Sequence, residues 1–451
     1  MKTTISKILS TTALLCFLVV LAPTVTAQEL KNHVEYKGKI TDGNTQEPLE
    51  AVSVNLKNTN ISTISNIEGK FVLKVPQNMT DGSLVFNFLG YQPKEISLNT
   101  LSKKENKIAL EPKITQLSEV NIATYLNAEA LVKKVFEKKA ENNLNDPAVM
   151  TAFYRETIKR RNRNVSITEA VVNLYRQPYT SNSKDVIELH KARKSTDYRR
   201  LDTVAFKLQG GPFAALYLDV MKYPEYLFTN ETIGDYTYNF EPPSTINSRP
   251  VFVVSFLQKE RYVDAYYKGT LYIDAETLAL ASASYNLEIV NEKEASKLFV
   301  KKKPNDINVY PLETSYHVDY REKDGKWYYG YSNMQLTFKV DQRGKLFNTN
   351  YTLATEMAVT DWENNAAGSK ASIEKKLKPT VVMSDAVSGF SDPNFWGPYN
   401  VIEPEESIES AINKIQRKLE RNKVKIIVDS NCENENCPTA ENTVGQFFIK
   451  V

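Results

Sequence analysis

Across residues 268–289 apolar and polar positions alternate. On the second arm Ala281, Ala283, Tyr285, Leu287 and Ile289 fall on one side, and Ser282, Ser284, Asn286 and Glu288 on the other. A period of two marks a strand in a sheet with one buried and one wet face. The polar stretch 274–277 reads as a turn, so 268–289 is expected to be an antiparallel hairpin. The same alternation recurs at 236–240, 251–257, 311–322, 326–339 and 346–357, and Asp324-Gly325 is a strong hairpin turn between two of these runs. Two earlier runs, 152–158 and 165–175, are joined by Lys159-Arg160-Arg161-Asn162-Arg163. This basic stretch is expected to be a solvated hairpin tip, with contact to an anionic surface as the alternative. So many consecutive strands predict one large, curved antiparallel sheet, open or forming a half barrel.

Few segments have helical spacing. Ala128, Leu131, Val132, Val135 and Phe136 follow the i, i+3, i+4 rhythm, and Asn127 stands where a cap belongs. Gly210-Gly211-Pro212 is expected to open a helix over 213–221, because proline suits a first turn. Read as a phosphate loop, the glycine pair lacks a following Gly-Lys-Ser/Thr. Pro404-Glu405-Glu406 starts another predicted helix, with Ile408, Ala411, Ile412, Ile415 and Leu419 as its apolar stripe. Residues 291–306 are polar and lysine-rich, and are expected to form a mobile surface loop.

A different texture precedes this. Residues 34–111 carry short apolar runs at 52–56, 71–75, 84–88 and 107–110, broken by Asp42-Gly43, Glu68-Gly69 and Asp81-Gly82, which predicts a small β-sandwich. The domains expected are thus 34–111, a linker at 112–126, a large β domain with flanking helices at 127–422, and a tail at 423–451. The fold class is mainly β.

Residues 1–27 combine Lys2 and Lys7, an apolar run from Thr12 to Leu21 and the small-residue ending Val25-Thr26-Ala27. They read as a secretory signal cleaved between Ala27 and Gln28. The net charge of +3 falls to +1 without Lys2 and Lys7, which argues against a nucleic-acid partner. In an exported chain Cys432 and Cys437 are expected to pair as a disulfide, with a metal site that adds Glu433 and Glu435 as the alternative. No cofactor is implied.

Gly38-Lys39-Ile40-Thr41-Asp42, the run Glu47 to Val54, residues 63–71 (TISNIEGKF) and Phe88-Leu89-Gly90-Tyr91 resemble the carboxypeptidase-regulatory-like domain. That resemblance implies a prealbumin-like seven-stranded β-sandwich without catalytic residues of its own. In Bacteroidetes-type bacteria it often precedes outer-membrane transporters or other exported domains. Phe153-Tyr154-Arg155-Glu156, Gly210-Gly211-Pro212, Tyr267 to Asp274 and Asn394-Phe395-Trp396 resemble uncharacterised exported domains that follow such modules. The central strands are similar in pattern to periplasmic lipoprotein carriers, which implies an unclosed barrel with an apolar concavity.

Candidate chemistry is sparse. The three histidines, His33, His190 and His317, show no metal-ligand spacing, so the zinc peptidase of the family name is not expected. His33 is expected to be disordered, and His190 and His317 to be surface or sheet residues. Neither a Gly-x-Ser-x-Gly elbow nor a His-Glu-x-x-His motif is present. A carboxylate-pair glycosidase would draw on Asp264, Asp274, Glu276 or Asp319, although acids at hairpin ends are usually turn-formers. Tyrosines such as Tyr262, Tyr266, Tyr267, Tyr272, Tyr285, Tyr316 and Tyr331 suit a half-buried sheet, or else line a ligand groove. The function expected is a non-enzymatic, periplasmic or outer-membrane-associated envelope protein. It would bind an amphipathic lipid or glycan, or an outer-membrane transporter or other envelope protein. The alternatives are a hydrolase of glycans or peptides, and a pure scaffold.

Overall fold

The computed structural model describes residues 33–113, 127–161, 163–196, 204–229, 231–246, 249–259, 265–365, 368–372, 374–387, 395–408, 410 and 445–450. The first unit has seven strands: β1 (His33–Asp42), β2 (Ser53–Leu56), β3 (Ser62–Ile64), β4 (Lys70–Pro76), β5 (Ser83–Asn87), β6 (Lys94–Ser97) and β7 (Asn106–Leu110). They form two sheets, β4-β1-β7 and β3-β2-β5-β6, as the alternating runs predict. Ile40, Val54, Phe71, Leu73 and Phe86 close the sandwich between them. His33 is the first residue of β1, paired with Pro76, and so is ordered where disorder was expected. Strand pairing to β4 holds it in place.

The large sheet has ten strands in the order β10-β9-β8-β19-β18-β17-β15-β14-β13-β12. Their ranges are β8 (Ala148–Arg160), β9 (Arg163–Arg176), β10 (Val186–Thr196), β12 (Tyr236–Ile246), β13 (Arg249–Gln258), β14 (Ala265–Asp274), β15 (Leu280–Ile289), β17 (Ile307–Lys323), β18 (Lys326–Gln342) and β19 (Thr349–Asn364). The sheet is open, with β10 and β12 at its edges. Asp324 and Gly325 both have positive φ, 52° and 76°, so the β17–β18 turn has the hand that matches strand twist. Within β14, Gly269 gives Tyr285 its place: a Cβ there would lie 2.4 Å from the Ser284 carbonyl oxygen.

One face is packed full. Met150, Tyr154, Met334, Leu336, Phe338, Leu353 and Met357 meet helix α1 (Ala128–Glu137) and the segment 212–236 in one apolar core. Asn127 caps α1 by accepting from the Ala130 amide at 2.7 Å, and Leu131 and Val132 are fully buried. Burial of a side chain of that size contributes roughly 1.5–3 kcal/mol. The interior of the curve is therefore occupied by the chain's own side chains.

Two elements differ from expectation. Residues 291–306 are not simply a loop, since they hold α4 (Glu292–Phe299) and β16 (Val300–Lys302). Asn291 accepts from the Lys293 and Glu294 amides, and Ala295 and Phe299 are buried one turn apart, which outweighs the polar composition. Between α1 and α4 stand α2 (Lys139–Asn142) and α3 (Pro212–Leu216), and the latter is shorter than the predicted 213–221. Strand β11 (Val204–Gln209) pairs with β20 (Gly445–Lys450), which also pairs with β16, so residues 445–450 dock on the large domain. The helix expected after Pro404 begins at 406–408, and residues 411–419 lie outside the described residues.

Candidate functional site

The outer face of the sheet carries the positions that alternate with the core: Ser282, Ser284 and Asn286 on β15, Ser315, His317 and Asp319 on β17, and Tyr331, Asn333 and Gln335 on β18. The sequence pattern predicts that this face meets water. Instead, the sandwich lies across it. Strand β3 docks on one side, where the Ser62 hydroxyl donates to the Val359 carbonyl (3.1 Å), Thr63 to Val401 (3.1 Å) and the Asn66 amide to Glu403 (3.0 Å). Arg321 adds bonds to the Ser62 hydroxyl (2.6 Å) and the Val359 carbonyl (2.8 Å). Towards the opposite edge the Gly90 amide donates to the Thr245 carbonyl on β12 (2.6 Å). Ile64 is buried with Phe153, Val171, Tyr331 and Trp396.

Between these anchor points the two units leave two cavities, of about 1150 Å³ and 720 Å³, which share Ala51, Phe88, His317 and Tyr331 in their walls. The floor of the larger one presents the polar side chains of Ser255, Thr270, Ser284, Asn286, Asn333 and Gln335, set among Phe256, Leu257, Tyr285, Tyr316 and Tyr331. Its roof is mostly apolar, with Pro48, Leu49, Ala51, Ile67 and Phe88 from the sandwich, and carries one carboxyl, Glu50. An amphipathic ligand suits such a space, because each side meets matching surface.

His317 occupies the junction. Its Nδ1 lies 2.7 Å from the Ser284 hydroxyl and its Nε2 lies 2.9 Å from the Asp319 carboxylate. Burial opposes the imidazolium, but Asp319, and Glu50 at longer range, outweigh it and hold the pKa above the usual histidine value. Burial likewise opposes the Asp319 carboxylate, yet His317, Ser282 and Arg321 keep its pKa low. Glu50, on the sandwich, is pushed up by burial and by the nearby Glu356 and Glu405. The result is a line of serine, histidine and aspartate facing a carboxyl from the other unit.

Of the acids considered from sequence, Asp319 alone lines either cavity among the described residues. Asp274 is fully buried at the β14–β15 turn, where it accepts from Arg249 at 2.5 and 2.9 Å and from the Thr277 amide at 2.8 Å. Glu276 is exposed on that turn, and Asp264, Tyr262, Ala27, Gln28, Cys432, Cys437 and the linker from 114 to 126 lie outside the described residues. His190 lies against Tyr399 with the rings tilted, their centroids 4.7 Å apart. Gly211 lies against Met383, whose Cγ would be 2.7 Å from an added Cβ, so the glycine pair faces side chains rather than an anion. Tyr285 and Tyr316 stack in the core at 5.1 Å and border the larger cavity, as does Tyr331, which is buried against the sandwich. The pairing of His317 with Ser284 has only a partial sequence signal. Alternation puts His317 and Asp319 on one face, but the β15–β17 register that brings Ser284 alongside spans a 17-residue excursion, residues 290–306.

Residues 36–122 match the family model of the CarboxypepD_reg-like domain. The match coincides with the sandwich and leaves the ten-stranded sheet uncovered. No curated protein matches the chain. Among solved structures, a DUF1329 family protein from Desulfovibrio piger ATCC 29098 is similar at 10% identity over 53% of this chain and 94% of that one, with a TM-score of 0.22. A structure of lipid–protein interactions in lipovitellin is similar at 6% identity over 51% of this chain and 27% of that one, with a TM-score of 0.23. TM-scores this low assign neither fold nor function.

Proposed function

We propose that this chain is an exported, non-enzymatic envelope protein that holds an amphipathic ligand, a lipid or a glycan, between the regulatory-like sandwich and the open sheet. The observation that carries this reading is the groove's two-sided chemistry, with hydroxyls and amides below and Leu49, Ile67 and Phe88 above. Because the inner face of the sheet is filled by core side chains, the room for a ligand lies on the outer face. Thr270 projects from the floor of this groove. Thr270→Trp is therefore expected to fill ligand space while leaving the core intact. Native mass spectrometry of protein purified from its own envelope should find a lipid or glycan adduct, reduced roughly tenfold in the variant, as loss of about 1.4 kcal/mol would give. An empty protein that instead co-purifies with an outer-membrane partner would overturn ligand holding in favour of a scaffold.

The line Ser284, His317 and Asp319 favours a second reading, a hydrolase. Ser284 would attack an acyl carbonyl while His317 takes its proton at Nδ1 and Asp319 steadies the Nε2–H, the roles such a trio plays in nucleophilic catalysis. Against it, Ser284 lies inside a strand laddered to β14 and β17, so main-chain amides around it are spent in the sheet. The Asn286 and Asn333 amides already donate to Glu288 and Tyr331. One N–H of each amide is thus already engaged, which counts against a preorganised oxyanion site. A fluorophosphonate probe separates the two readings. The binding reading expects no adduct on Ser284, and an adduct lost in His317→Gln would establish the hydrolase.

A further inference from the structure

Leu346 and Phe347 are 93% and 77% exposed, consecutive, and placed at the tip of the β18–β19 hairpin. Neither contributes to any of the three apolar clusters. Scattered exposed apolar residues need no explanation, but an adjacent pair on a projecting tip leaves a wedge in water. Arg343 and Lys345 precede it, both exposed.

Two neighbouring tips extend the same end of the sheet. The β8–β9 hairpin presents Arg161 and Arg163 and touches β19, with the Arg161 amide donating to the Asn350 carbonyl at 3.2 Å. On the other side, lysines 301–303 lead into β17, and the Arg343 amide donates to the Asp306 carbonyl at 2.8 Å. The acids on these three tips are Asp306 and Asp341, against Arg160, Arg161, Arg163, the three lysines, Arg343 and Lys345. In a chain whose net charge is only +3, that is a strongly one-sided distribution.

We infer that this end of the sheet docks on an anionic bilayer surface, with Leu346 and Phe347 entering the headgroup boundary and the basic tips resting on the lipid charges. Interfacial binding needs these two ingredients together, a buried apolar insertion and electrostatic attraction. The pattern distinguishes a membrane from a folded partner, for which a depletion of lysine at the contact is usual. The larger cavity lies on the tip side of His317, with Gln335 on its floor eight residues before Arg343, about 27 Å along a strand. The docking does not depend on what the groove holds.

The test is flotation of the full chain with phosphatidylcholine vesicles, with and without phosphatidylglycerol. The protein is expected to float with the anionic vesicles, to release them as salt screens the surface, and to ignore the neutral ones. Leu346→Ser combined with Phe347→Ser should weaken flotation roughly tenfold with an unchanged melting temperature, since the tip is outside the core. In a separate variant, Phe347→Trp, the added indole emission should shift to the blue on anionic vesicles. Failure to float, equal flotation with neutral vesicles, or an unaffected double variant would each overturn the inference. None of these results depends on a groove adduct, so the ligand proposal stands or falls separately.

Discussion

Asp219→Ala is expected to destabilise the protein by about 3–5 kcal/mol, the usual cost of breaking a buried ion pair from one side. Asp219 is fully buried and accepts from the Arg176 guanidinium at 2.5 Å, from the Tyr179 hydroxyl at 2.9 Å and from the Tyr320 hydroxyl at 3.0 Å. Arg176 has a second carboxylate in Asp185 at 2.7 Å, which the Tyr223 hydroxyl also reaches at 2.6 Å. Burial, reinforced by Asp219, pushes the phenols of Tyr179 and Tyr320 far up, so both stay protonated and donate. Alanine would leave one full positive charge with a single counter-ion and two phenols without an acceptor, in an interior where water cannot substitute. The knot ties β9, β17 and the 219–223 turn together, so its loss loosens the packing of the inner face. Urea unfolding monitored by tryptophan fluorescence should show the midpoint fall, with Glu276→Ala as an exposed control expected within about 0.5 kcal/mol of the parent. An Asp219→Ala loss below about 1 kcal/mol would mean that water or a rearranged Asp185 takes over the charge.

That knot illustrates what the sequence does and does not disclose. Alternation on β15, β17 and β18 is legible because one face is apolar over many residues, and the Asp324-Gly325 turn specifies its own register. The strand β10 escapes such reading, since Ile187, Leu189 and Ala192 are interspersed with Glu188, His190, Lys191, Arg193 and Lys194. It is an edge strand, whose outer side is covered when the Leu189 amide donates to Lys375 and the Leu377 amide to Ile187. Edges tolerate and often require charge, so composition points away from strand where pairing enforces it. Helix α4 shows the converse case, in which one capping asparagine and two buried residues decide against a lysine-rich background.

The groove was hidden for a related reason. Docking of the sandwich runs largely through carbonyl oxygens, those of Val359, Val401, Glu403 and Thr245, which every sequence possesses and none advertises. Ser284 and Asn286 read as wet-face residues because alternation reports which side is apolar, not what lies over the other side. Ser282 makes the point directly, being buried while its hydroxyl donates to the Val318 carbonyl at 3.2 Å. Tyrosines divide in the same way: Tyr320 and Tyr329 serve the core while Tyr331, two positions on, faces the sandwich.

Glu156→Gln is expected to remove a loss of stability that the parent suffers as pH rises. Glu156 projects from β8 into the inner face, almost fully buried, and accepts from the Tyr154 hydroxyl at 3.0 Å. Its neighbours across the ladder are Thr168 and Thr355, whose buried hydroxyls make no hydrogen bond to protein. Lys194, opposite Thr168, spends its ammonium on the Ser384 carbonyl, and Asp385 adds repulsion. Burial, which the Tyr154 bond only partly offsets, pushes the carboxyl pKa up to about 7. A folded-state pKa above the unfolded value means that the native state binds more protons, so stability falls with rising pH between the two values. With an unfolded value near 4.5, the loss from about pH 4.5 to about pH 7 is on the order of 3 kcal/mol. Glutamine keeps the acceptor for Tyr154 and adds an N–H for the threonines without a charge to bury. The variant should therefore match the parent near pH 4.5 and exceed it by about 3 kcal/mol above pH 7. Glu169 and Glu405, whose pKa values are held low, work in the opposite sense and lose their contribution as pH falls. The informative quantity is consequently the difference between parent and variant in urea midpoint across the range, in which those terms cancel. A constant difference from acid to neutral pH would show that the Glu156 carboxyl ionises as freely in the fold as in the unfolded chain.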